Sequence, residues 1–158
     1  MVTRRIAAAC MALSTALAGA AEAGKPATGT KAIEAAAHGA YLAAINSNDL
    51  DTLLTDLTDD IVYQAPNEPE ITGKAALRTW AAAYIEAYRF KWEKISIGFT
   101  VSGDWAFERY AYKVTNTDRK TGEVSTDDGK GINIFHHDKD GRWRVAIDGW
   151  SSNLAPGK

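Results

Sequence analysis

The sequence predicts an α+β domain in which three N-terminal helices pack on one face of a curved, mostly antiparallel sheet. Three observations predict it: apolar stripes of helical period up to about Arg89, strand-like sequence from Phe90 onward, and turn signals at hairpin spacing in that second part. Between the two parts, Tyr41 to Gly73 holds the end of one helix, a second short helix, a strand and a long turn with almost no spare linker. Such density belongs to the corner of a compact pocket fold.

The first residues are of another kind. Met1 to Arg5 carry two arginines, Ile6 to Leu17 are apolar and Ala-rich, and small residues follow, the pattern of a secretory signal peptide over residues 1–23. Small residues suit cleavage after Ala20 or Ala23, with Ala23 preferred. The apolar run, about twelve residues, is short of the roughly 20 that span a bilayer, so no membrane span is expected after cleavage and a periplasmic or secreted location is. Arg4 and Arg5 hint at twin-arginine export, although Ile6, Ala7 and Ala8 fit that signal poorly.

Cys10, the single cysteine, lies in the leader, so the mature chain has neither disulfides nor thiolate chemistry and must be held by its core. Without residues 1–23, sixteen basic side chains face nineteen acidic ones, a net charge of −3 with no nucleic-acid footprint.

Residues 24–30 read as a flexible linker and residues 31–153 as one pocket domain, with a tail at 154–158. Ile33, Ala37, Ala40, Tyr41, Ala44 and Ile45 form one apolar stripe of a first helix capped by Thr30, and Asn46-Ser47-Asn48 ends it. Asp49 caps a second helix through Leu50, Leu53, Leu54 and Leu57. Thr58-Asp59-Asp60 turns the chain into a strand from Ile61 to Ala65, which Pro66 and Pro69 stop. A third helix follows Gly73 to about Arg89, burying Ala76, Leu77, Trp80 and Tyr84. Then come four strands, Phe90–Val101, Trp105–Thr117, Glu123–His136 and Arg142–Ser152, the third with a bulge expected around Asp127 to Gly131. Trp105 and Phe107 point to one face and Tyr110 and Tyr112 to the other, so aromatic residues reach the outside of the sheet, the mark of a homodimer surface.

The opening stretch, followed by Gly73-Lys74-Ala75-Ala76-Leu77 and closed by Asp140-Gly141-Arg142-Trp143, resembles the SnoaL-like, ketosteroid isomerase-like branch of the nuclear transport factor 2-like superfamily over roughly residues 32–153. The resemblance implies a cone-shaped α+β barrel with an apolar pocket inside and frequent dimerisation. In ketosteroid isomerases a tyrosine late in the first helix donates to the developing enolate, and Tyr41 falls there. Their general base precedes the proline that ends the first strand, where this chain has Ala65. Their second oxyanion donor falls near Asn133.

Tyr41 lies on a buried stripe, so its hydroxyl is either a pocket donor or a core group bonded to backbone or water. In a cone, Tyr63, Trp80, Tyr84 and Trp92 surround the same cavity. Asp148 and Trp150 share a face of the last strand with Arg144 and Ala146; Asp148 is the best catalytic candidate, and an ion pair between strands, with Lys130 or Arg109 as partner, is its structural alternative. His136 and His137, adjacent on a strand, point apart, so no metal is expected. No phosphate loop, nucleophile elbow or dinucleotide fingerprint occurs, so no cofactor is expected. The sequence thus leads to an exported protein that takes a small apolar or aromatic ligand. Either it converts that ligand by acid–base chemistry through Tyr41 and Asp148, or it is a non-catalytic binding or dimerisation module of the cell envelope.

Overall fold

The structure, a computed structural model, describes residues 29–154. The expected signal peptide, most of the linker and nearly all of the tail lie outside the described residues. The elements in order are α1 (Thr30–Asn46), α2 (Leu50–Thr55), β1 (Leu57–Gln64), β2 (Ile71–Thr72), α3 (Lys74–Ala87), β3 (Tyr88–Ser102), β4 (Trp105–Asp118), β5 (Val124–His137) and β6 (Trp143–Ser152). One six-stranded open sheet, ordered β2-β1-β6-β5-β4-β3, is antiparallel except where β1 meets β6 in parallel. Its concave face wraps the helices, as expected of an α+β cone. None of the described helices is long and apolar enough to cross a membrane.

Local chemistry accounts for most boundaries. The Asp49 carboxylate accepts from the Thr52 N–H at 2.7 Å and starts α2, as expected of a cap. Helix α1 instead begins behind Gly29 in a left-handed conformation (φ 89°); Thr30 is already helical and its side chain caps nothing. Asp59 and Asp60 are not a turn. Leu57 pairs with Val145, which extends β1 backward, and the strand bulges before Val62, leaving both aspartates exposed within it.

Helix α3 buries Leu77 and Ala81, one turn apart, so Ala76 turns outward and Tyr84 stays 37 % exposed at the rim. The bulge expected around Asp127 to Gly131 is absent. β4 and β5 pair without a shift from Thr117–Val124 to Trp105–His136, and irregularities fall instead between Ser96 and Gly98 of β3 and where β5 meets β6. Gly129 and Gly131 are needed for another reason: a Cβ at Gly131 would lie 2.3 Å from the Tyr110 ring, and one at Gly129 2.6 Å from that of Tyr112. The two glycines are slots in which tyrosine rings of the neighbouring strand lie.

Tyr41, Leu57, Ile61, Leu77, Phe135 and Val145 form the centre of the core. Asn46 and Asn48, which end α1, each bond both backbone groups of one β3 residue. Asn46 accepts from the Trp92 N–H at 2.7 Å and donates to its carbonyl at 2.9 Å, and Asn48 does the same at Phe90. The outer face of the sheet exposes Ile95, Ile97, Trp105, Phe107 and Ile132.

Candidate functional site

Strand pairing lays a row of side chains across the concave face: Tyr63 of β1 beside Asp148 of β6, then Asn133 of β5, then Glu108 of β4. Three of these four carry a carboxylate or an amide, and Asp148, Asn133 and Glu108 are all buried. Such groups persist in a core only when hydrogen-bonded. Asp148 Oδ2 accepts from the Tyr41 hydroxyl at 2.5 Å, and its Oδ1 accepts from the Asn133 amide at 2.6 Å and the Tyr110 hydroxyl at 2.9 Å. The Tyr41 and Tyr63 hydroxyls lie 2.6 Å apart; since the Tyr41 proton goes to Asp148, Tyr63 donates to the Tyr41 oxygen.

The cation of this site is Lys94. Its ammonium donates to Asn133 Oδ1 at 2.6 Å and rests over the Tyr110 ring, 3.7 Å from the centroid. The Asn133 amide therefore stands between the ammonium and the carboxylate of Asp148. On the far side of the row, Glu108 Oε1 meets His38 Nδ1 of α1 at 2.5 Å, while Oε2 has no partner among the described residues.

Electrostatics follow from this burial. Burial, and then the charge of Asp148, pushes the Tyr41, Tyr63 and Tyr110 hydroxyls upward, so all three stay protonated donors at neutral pH. Burial lowers Lys94 below an ordinary lysine, and the charges of Asp148 and Glu108 counter only part of that. Tyr84, at the rim, is raised to about 12 by burial and by its neighbour Tyr88.

A cavity of about 290 Å³ opens onto this network, large enough for a small molecule. Tyr63, Trp80, Tyr84, Trp92 and Trp150 line it, as the cone reading expects, and its polar lining residues are Asp148, Lys94, Tyr110, Glu68, Asn116 and Asp127. Trp150 meets both Tyr63 and Trp92 edge-on, at 5.4 and 6.3 Å, which makes the wall rigid. Tyr41 and Asn133 do not reach the cavity; both stand behind Asp148 and hold it.

Two partners expected from the sequence are elsewhere. Lys130 bonds Asn153, and Arg109 lies on the outer face near the Ile97 carbonyl. Arg144 also leaves the face of Asp148. Phe135 pairs with Val145 but Ile134 with Ile147, so Ala146 is an extra residue that resets the alternation. Arg144 binds Asp138 and Asp140 instead. Lys94 escapes a sequence reading because Lys91-Trp92-Glu93-Lys94 looks like a solvated stretch; counting by twos from Phe90 through Trp92 puts it inside. Among the described residues no three His, Cys, Asp or Glu side chains converge as metal ligands. The arrangement can hold a proton-accepting carboxylate and an amine against an apolar ligand.

The SnoaL-like domain family matches residues 39–146 of the chain. Its backbone is similar to that of a ketosteroid isomerase-like protein from Erwinia carotovora atroseptica, with a TM-score of 0.70 and 29 % identity over 78 % of this chain and 96 % of that one. A candidate dehydratase of the nuclear transport factor 2-like family from Streptomyces avermitilis shares the fold at a TM-score of 0.67 and 17 % identity, covering 75 % of this chain and 93 % of that one. A nuclear transport factor 2-like superfamily protein from Salmonella enterica does so at 0.62 and 16 %, covering 77 % and 89 %. No curated protein matches the chain in sequence.

Proposed function

The chain belongs to the SnoaL-like domain family, and on that premise we propose that it binds a small apolar or aromatic molecule in the cone and converts it by proton transfer. One observation carries this reading: a buried carboxylate, Asp148, forms part of the wall of a cavity lined mainly by aromatic and aliphatic side chains. Three donors fix its orientation, so a substrate C–H or O–H placed against the free edge meets a base that does not have to reorganise. Tyr110 and Lys94, on the same wall, can polarise a substrate oxygen. Ala65 occupies the place of the ketosteroid isomerase base, so in this reading the base has moved to the far edge of the pocket. The leader sequence supports action outside the cytoplasm.

The second reading, a binding module without chemistry, is favoured by the same Ala65 and by the three bonds that already occupy Asp148. Both readings are tested by binding aromatic ketones, followed through fluorescence of the lining tryptophans, and by exchange of their α-hydrogens for deuterium, followed by NMR. Proton-transfer chemistry requires exchange in the wild type that Asp148→Asn loses while it still binds. Binding without exchange would leave the module. No binding by any ketone would defeat the pocket reading itself.

A further inference from the structure

We propose that Lys94 is a carbonyl-capturing amine, condensing with an aldehyde or ketone in the cavity to form a protonated imine. This rests on the pocket reading above and adds to it a ligand class and a covalent step. Lys94 is 8 % exposed and is one of the residues that line the cavity. An amine buried among aromatic rings is poorly solvated as an ammonium, which favours the nucleophilic neutral form.

What distinguishes Lys94 from a structural ion-pair lysine is the way its neighbours hold it. Among the described residues no carboxylate lies within 4.0 Å of its nitrogen, and its one hydrogen bond goes to the neutral Asn133 amide. A direct salt bridge would keep the amine protonated and occupied. The Asn133 amide separates Asp148 from the nitrogen, so that carboxylate acts on Lys94 through its charge and not through a direct bond. The groups that face Lys94 are the Tyr41 ring from α1, Glu108 and Tyr110 from β4, Asn133 from β5 and Asp148 from β6. His38 joins through Glu108.

The step balances. The ammonium loses one proton to solvent, the nitrogen lone pair attacks the carbonyl carbon, and the former carbonyl oxygen takes back that proton and a second one from the nitrogen and leaves as water. One ammonium and one carbonyl thus give one iminium and one water. The amine and carbinolamine stages are neutral, and a positive charge opposite Asp148 and Glu108 returns on the iminium. The iminium then acidifies the adjacent C–H, which places its proton within the reach of the same carboxylate chemistry.

The test uses the full chain with 2-naphthaldehyde and, as an isostere that cannot condense, 2-naphthalenemethanol. Sodium cyanoborohydride at pH 7 reduces any imine, and peptide mapping by mass spectrometry locates it. The expected result is labelling of Lys94 about ten-fold or more faster than that of exposed Lys113 and Lys130, because a cavity that holds the aldehyde against this amine raises its effective concentration. Lys94→Met, folded by circular dichroism, then loses the label. If Lys94→Met fails to fold, the wild type decides: excess 2-naphthalenemethanol competes the label away from Lys94 and leaves that on Lys113 and Lys130, and equal loss at all three overturns the cavity amine. Tryptophan quenching by both compounds with Lys94 labelled no faster than Lys113 overturns the amine and leaves the pocket standing. Absence of quenching by either compound overturns the pocket reading, and this proposal with it.

Discussion

Tyr41→Phe removes one oxygen from the middle of the polar row and leaves the packing of a fully buried ring in place. Among the described residues the lost hydroxyl is the sole donor to Asp148 Oδ2, at 2.5 Å, whereas Oδ1 keeps Tyr110 and Asn133. A hydrogen bond to a charged acceptor contributes about 1.5–3 kcal/mol. Tyr63 loses its acceptor as well, but it faces the cavity, where water can replace it, so its contribution is small. The expected loss is therefore about 1.5–3 kcal/mol, which for a domain of this size lowers Tm by roughly 6–12 °C. Urea unfolding with an unchanged m-value reads it directly. Tyr84→Phe is the control, because its bond to Asn116 is exposed and its loss should cost about 0.5 kcal/mol or less. If the two variants lose equal stability, Tyr41 does not hold Asp148 as described.

Gly131→Ala drives a methyl into the Tyr110 ring and should cost about 1–3 kcal/mol, read by the same unfolding. Gly39→Ala, in α1 with nothing near its Cβ, should instead stabilise by about 0.5–1 kcal/mol, and equal effects at both would contradict the slot. Bonding to Arg144 holds Asp140 down to about 2 from 3.8, so the folded chain binds this proton more weakly than the unfolded chain. Its contribution is complete above pH 3.8 and lost as pH falls through about 2. Acid unfolding followed by circular dichroism should show a shallower slope over that window in Asp140→Asn, and an unchanged slope would remove the pair from the account. Finally, we expect a homodimer through the exposed Ile97, Phe107 and Ile132. Light scattering should give twice the chain mass for the wild type and the single mass for Ile97→Glu; a monomeric wild type would refute the interface.

The helices, the strand order in sequence and the lining aromatics were legible because each rests on local periodicity. Tyr63, Trp80 and Trp92 follow from counting by two or by four along one element. What escaped was what one extra residue changes. Ala146 shifts β6 by one position, moving Arg144 away from Asp148 to Asp138 and Asp140, and no propensity marks it. Lys94 escaped because its burial is decided by Tyr110 and Asn133 on other strands. Glu108 escaped for the same reason, since its partner His38 is seventy residues away.

Asn46 and Asn48 have a consequence for the behaviour of the chain in a crowded compartment. β3 is the last strand of an open sheet, and an unpaired strand edge invites another chain to continue the ladder. The two amides occupy the N–H and C=O groups of Phe90 and Trp92, imitating two rungs of a seventh strand. The residues that stop α1 thereby act as a built-in stopper against aggregation and domain swapping, and replacing both with alanine would leave an adhesive edge on an otherwise intact fold.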